Sequence, residues 1–99
     1  MLENLSRDQF AEQLNTTFDI YFVDEAATPT QLIEVTELRQ KPPQESFSLI
    51  FLAPAETPVL QQQFKVEHPA LGSFELFLVP IGMKVNGLEY EAVFNRMIV

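Results

Sequence analysis

Apolar and polar residues alternate along most of this chain with a period of two, and that period predicts strands rather than helices. The pattern is clearest between Gln63 and Arg96. Phe64 and Val66 alternate with Gln63, Lys65 and Glu67, giving one buried and one wet face. His68 and Pro69 then break the ladder, because proline has no N–H and forces the preceding residue into an extended conformation. Gly72 supplies the positive φ that a tight return needs. Phe74, Leu76 and Leu78 continue one face of the next strand, while Phe77, Val79 and Ile81 fill the other. Glu75 is the polar residue of that run, so the strand is expected to be covered on both sides. Asn86 and Gly87 form the strongest short hairpin signal, since a type I′ turn needs two residues that tolerate positive φ. Beyond it, Leu88, Tyr90, Ala92 and Phe94 alternate with Glu89, Glu91 and Asn95.

The earlier part of the chain supplies one helix and three more strands. Ser6 can cap a helix over Arg7 to Leu14, with Gln9 completing a capping box and Leu5 stapling onto Phe10. Phe10 and Leu14 share a face, and Asn15 is a plausible stop. So short a helix must dock to persist. Thr16–Val23 reads as a strand with Phe18, Ile20 and Phe22 on one face and Tyr21 and Val23 on the other. A loop follows over Asp24 to Pro29. Gln31–Leu38 is a strand in which Ile33 and Val35 alternate, and a bulge near Thr36 would bring Leu38 back to the core face. Gln40 to Gln44 reads as a rigid exposed connection. Ser46–Leu52 is a strand with Phe47, Leu49 and Phe51 set against Ser46, Ser48 and Ile50, and a second proline-rich loop runs from Ala53 to Pro58. Six strands at short spacing predict a mainly β domain, an antiparallel sandwich or small barrel with one short N-terminal helix. Strand–helix alternation of the kind that builds a parallel sheet is missing.

Composition narrows this picture further. The 99 residues suit a single β-rich domain spanning 1–99, and nine phenylalanines supply much of the core. No apolar run approaches a membrane span, and the N-terminus lacks a basic region followed by an apolar stretch. The absence of cysteine removes disulfides and thiolate chemistry and fits a cytoplasmic setting. Six basic residues against fourteen acidic ones leave a formal charge of −8, and the basic residues are scattered. Such a surface repels phosphate backbones and anionic membranes, so neither nucleic acid nor membrane is an expected partner.

Candidate chemistry is sparse. His68 is the single histidine, and no further ligands are spaced to make a metal site with it, so its ring is expected to pack or hydrogen-bond within its turn. Ser46 and Ser48 lack the flanking glycines of a nucleophile elbow. Glu89 and Glu91 share a strand face, which on an exposed strand is ordinarily a solvated face rather than a paired-carboxylate site. The three glycines form no phosphate-cradling loop. The reading is therefore non-enzymatic, with no cofactor and no metal. The second apolar face is the better clue. Phe77, Val79 and Ile81, with Ile50 and Leu52, and Tyr21 with Val23, would make a large patch if all met water. Closure of the sheet within the monomer, an interface with itself or a protein partner, and a barrel holding an apolar small molecule are three ways to cover it. Pro80 places the end of its strand at an edge or outside the ladder.

The segments Glu67-His-Pro-Ala-Leu-Gly72, Glu75-Leu-Phe-Leu-Val-Pro80 and Tyr90-Glu-Ala-Val-Phe-Asn95, with Phe47-Ser-Leu-Ile-Phe51 and the helix around Asp8 to Phe10, carry a resemblance. Over nearly its whole length the chain resembles a family of short bacterial proteins classed as a domain of unknown function. The resemblance transfers no activity and no binding residues. It implies an assembly role, as a component or accessory of a phage-tail-like assembly. The combined expectation is an interaction or assembly domain, with Phe77, Val79, Ile81, Ile50 and Leu52 as the candidate interface. The alternatives are a small barrel for an apolar molecule and, behind it, a hydrolase.

Overall fold

The computed structural model describes residues 5–37, 39–41 and 43–97. After the helix α1 (Arg7–Ala11) come β1 (Thr17–Val23), β2 (Ala26–Val35), β3 (Arg39–Lys41), β4 (Gln44–Ala53), β5 (Gln62–His68), β6 (Gly72–Lys84) and β7 (Gly87–Met97). Their order across the sheet is β2-β1-β5-β6-β7-β4-β3, and a further antiparallel pairing joins β2 to β4. That pairing, with Gln31 opposite Leu52 and Val35 opposite Leu49, closes six strands into a barrel. Of the two architectures that the strand pattern allowed, the barrel is the one observed. The short β3 lies outside the ring as a hairpin on β4, with Lys41 opposite Gln44, where the sequence predicts a plain connection.

The period-two reading holds for β1, β4, β5, β6 and β7, whereas in β2 Leu32 rather than Ile33 is the buried residue. Phe18, Ile20 and Phe22 from β1, Phe47, Leu49 and Phe51 from β4, and Phe64 and Val66 from β5 all point inward and are buried. Phe74, Leu76 and Leu78 from β6 join them, with Leu88, Tyr90, Ala92 and Phe94 from β7. Aromatic rings meet in layers along the axis. Phe47 stacks on Phe94 at 4.7 Å near the helical end. Phe18 meets Phe51 edge-on at 5.2 Å. Phe22 touches Phe64 at 5.0 Å and Tyr90 at 4.9 Å toward the other end. Edge-on and offset contacts of this kind add to the burial of each ring.

Each end of the barrel has its own cover. At one end α1 begins on the predicted capping box: the Ser6 hydroxyl accepts from the Gln9 N–H at 3.1 Å, and the Gln9 amide oxygen accepts from the Ser6 N–H at 2.8 Å. The helix lowers Phe10 onto Phe47, Phe74 and Phe94, at centroid distances of 6.3, 6.0 and 5.5 Å. Arg7 ties the helix down by donating to the Thr36 carbonyl at 2.9 Å. At the other end Tyr90, wholly buried, donates its hydroxyl proton to the Pro58 carbonyl and accepts from the Leu60 N–H at 3.1 Å. One side chain thus pins the proline-rich loop over the barrel mouth.

Several local expectations are corrected. The helix stops at Ala11, not Leu14, because the chain tightens into i→i+3 turns through Gln13 and Leu14. Leu14 is consequently 41% exposed rather than buried beside Phe10. Asn15 makes the reversal, at φ 68°. The expected loop over Asp24 to Pro29 is instead a tight turn at Asp24 and Glu25 followed directly by β2, with Glu25 at φ 64°. Pro29 sits within β2 opposite Asp19, on a stretch where β2 has a neighbour on one side only. The bulge in β2 falls between Leu32 and Glu34, not near Thr36, and so turns both Leu32 and Val35 inward. Leu38 lies outside the described residues. Pro80 behaves as its ring demands: it sits where β6 has left β5, beside a register shift against β7.

The hairpin at Asn86 forms, but its two turn residues are Val85 and Asn86, with Lys84 opposite Gly87. Gly87 is needed for a second reason that the turn motif does not contain. At φ 143° its backbone lies so close to β4 that an added Cβ would stand 2.2 Å from the Ala53 carbonyl oxygen. Gly87→Ala therefore combines backbone strain with a steric clash and is expected to cost about 3 kcal/mol. That corresponds to a fall of roughly 10–20 °C in the thermal midpoint. Gly72→Ala, at φ 92° with open space around it, is the control and should cost about 1 kcal/mol. Equal melting curves for the two variants would contradict this account.

Candidate functional site

The five candidate interface residues lie on the outer wall, on β4 and β6, with β7 between them. Rows across the strands are fixed by register. Val79 stands opposite Glu91, Glu91 opposite Ile50, and Ile50 opposite Glu34. One step along, Gly82 faces Glu89, and Glu89 faces Leu52. The expectation that both faces of β6 are covered is not met within the monomer. Phe77 is 52% exposed and Ile81 45%, and Val93 of β7 adds a further 56% exposed side chain. Val79 and Leu52 are half-buried, whereas Ile50 is down to 7% exposure, so it supports the patch rather than presenting it. Tyr21 belongs to a separate sector. Its hydroxyl donates to Glu67 at 2.7 Å, Lys65 reaches Glu67 at 3.5 Å, and the Lys65 ammonium lies 5.0 Å from the Tyr21 ring centroid.

A groove runs through the patch. β6 pairs with β5 over Gly72–Leu78 and meets β7 only from Val79 onward. Among the described residues no ladder pair joins Gly72–Leu78 of β6 to Ala92–Met97 of β7, and the two segments part. Inside, Phe10 fills the opening between Phe74 and Phe94. Outside, a groove of about 330 Å³ remains, with Phe77 on one wall, Val93 on the other, and Glu75 and Arg96 at its rim. The divergence of strands whose inward residues are all large could not be read from alternation alone.

The interior, by contrast, is occupied along its axis by touching rings and by side chains without exposure: Phe10, Phe18, Ile20, Leu32, Leu49, Phe51 and Tyr90. The Ser46 and Ser48 side chains sit on β4 away from His68, which is at the end of β5 and bonds to Thr16. Glu89 and Glu91 stand on the open wall rather than in a cleft. No helix among the described residues is long and apolar enough to cross a membrane.

His68 packs within its turn, as its place in the sequence predicts. Its Nδ1 accepts from the Ala70 N–H at 3.0 Å, which leaves the proton on Nε2 to be donated to the Thr16 hydroxyl at 2.9 Å. Thr16 passes its own proton to the Gln13 carbonyl at 2.7 Å. The ring lies 4.3 Å from that of Phe18. Burial pushes the imidazole pKa below its ordinary 6.5, against a smaller upward pull from Asp19. The group is a neutral structural bridge between the helix exit and β5.

These features define the chain as a small closed antiparallel barrel with a filled interior and an apolar outer face. Residues 5–94 match the family described as Domain of unknown function (DUF6916), and the chain belongs to it. No curated protein and no solved structure matches the chain.

The depressed pKa of His68 gives a pH dependence of defined sign. The unfolded chain binds a proton near pH 6.5 that the folded chain resists, so the histidine's contribution is complete above 6.5 and declines as pH falls through and below that value. Urea midpoints should fall between about pH 7.5 and 5 in the wild type, and His68→Gln should lose much of that slope. The window avoids Glu67, whose pKa is held below 4.5 chiefly by the Tyr21 hydroxyl and then by Lys65, so that its contribution is lost only at lower pH. A slope unchanged in His68→Gln would show that other groups carry it.

Proposed function

We propose that this protein is a non-enzymatic interaction domain that docks a protein partner on the outer face of β4, β7 and β6. The observation that carries this reading is the contrast between a filled interior and an uncovered wall. Phe77 and Val93 stay about half exposed on either side of the groove where β6 and β7 part, and Ile81 does so further along β6, where the two strands are paired. Apolar side chains grouped in this way on a rigid barrel favour association, because burying them releases surface that folding leaves in water. A phage-tail-like assembly, the setting that the family resemblance implies, is one in which such a domain would serve.

The rival reading, a barrel for an apolar small molecule, needs a chamber, and the axis here is taken by side chains. The wall residues can be changed without touching that core. Phe77→Ser with Ile81→Ser should lower the melting temperature by no more than about 4–8 °C, since surface positions alter stability by about 0.5 kcal/mol each. The same pair should abolish the protein complexes that the tagged wild type forms in its source cells, read by crosslinking from a photoreactive residue at position 93. Complexes that survive the double substitution intact would overturn the reading.

A further inference from the structure

The wall carries charge as well as apolar surface, and its pattern selects among partners. Glu34, Glu89 and Glu91 interrupt the apolar rows. Glu91 lies directly between Val79 and Ile50, Glu89 opposite Leu52, and Glu34 on the far side of Ile50. With strands about 4.8 Å apart and residues on one face about 7 Å apart, the three carboxylates fall within roughly 10–12 Å of one another. None of them is in an ion pair among the described residues, where Arg7 with Asp8 and Lys65 with Glu67 are the pairs that form. Basic side chains border these carboxylates without closing an ion pair. The Lys84 side chain folds back over Gly82, the residue opposite Glu89, and Arg39, opposite Ser46 on β3, lines one cleft with Glu34. Arg96 lies over the Phe94 and Phe47 rings, at 5.0 and 5.3 Å. The face is thus apolar and predominantly anionic: three carboxylates share it, none in an ion pair among the described residues.

Two occupants are conceivable for such a face, and charge separates them. A second copy would bring the same carboxylates to the contact, on a body whose own formal charge is −8. Both the local and the long-range terms oppose it. A different chain that sets lysine or arginine between apolar side chains meets each requirement: its apolar groups cover Phe77, Val79, Ile81 and Val93, and its cations neutralise Glu34, Glu89 and Glu91. Resting on the docking reading above, we infer that the outer wall recognises a segment of another protein in which apolar and basic residues alternate. The three glutamates also hold copies of this chain apart.

A synthetic peptide of alternating leucine and lysine serves as the probe, with the leucine–glutamate peptide as its control. Binding is followed by calorimetry and by amide chemical shifts. The lysine peptide should bind the wild type and shift resonances on β4, β6 and β7, and the glutamate peptide should not. Glu34→Gln, Glu89→Gln and Glu91→Gln combined should weaken binding by roughly tenfold or more, the effect of losing three ion pairs. Sedimentation should find the wild type monomeric and the triple glutamine variant drawn toward self-association. Equal affinity for the wild type and the triple variant, or shifts confined to another face, would overturn the inference. So would a wild-type dimer dissolved by Phe77→Ser, although that result would leave the docking reading standing. Peptide binding and native complexes that both ignore the Phe77 and Ile81 substitutions would bring down the docking reading itself.

Discussion

The pairing of β2 with β4 turns an open sheet into a barrel, and most of what is distinctive about this molecule follows from it. Without that ladder, β2 and the Leu49–Leu52 stretch of β4 would each present a free edge, and the inward rows of seven phenylalanine rings plus Tyr90 would face water on one side. With it, those rows converge on a single axis, and the core is complete in fewer than a hundred residues. Closure sets the demands on the ends as well. A barrel this narrow is filled by side chains, but its mouths need lids: Phe10 from the helix at one, and the loop pinned by Tyr90 at the other. The bulge between Leu32 and Glu34 belongs to the same solution, because it lets β2 bend around the ring while keeping Leu32 and Val35 inside.

Much of this was legible in the amino-acid sequence, and for physical reasons. A period of two identifies the inward residues of a strand whichever strands are its neighbours, so Phe18, Leu49, Phe64, Leu76 and Tyr90 are placed correctly from pattern alone. The capping box at Ser6 and the positive φ at Gly72 are equally local facts. What escapes is non-local or chemically unmarked. The turn at Asp24 and Glu25 uses a glutamate at positive φ, where glycine or asparagine would have announced it. The hairpin at Asn86 shifts its tip by one residue because Gly87 is committed to the close approach of Ala53. The choice between sandwich and barrel depends on a single long-range pairing that no local pattern encodes.

The candidate site divides the same way. The surplus apolar residues of β6 could be counted from the sequence, but whether they were interior or exterior could not, since closure alone decides which face of a strand becomes the wall. Closure resolves it: Phe77 and Ile81 are outside, Ile50 is sunk beneath its neighbours, and Tyr21 is drawn into a polar cluster with Glu67 and Lys65. It also brings Glu34 beside Ile50 and Glu91, three strands that are distant in sequence, and so gives the wall its predominantly anionic character. The functional reading rests on this division between a filled inside and an unfinished outside.

Native mass spectrometry of gently purified protein tests that division most directly, because it reads subunit number and bound mass together. A bare single chain is the predicted species, with its interior supplied entirely by its own side chains. A single chain that carries the mass of an apolar small molecule, and loses it only on unfolding, would contradict the account by showing that the barrel interior holds a ligand.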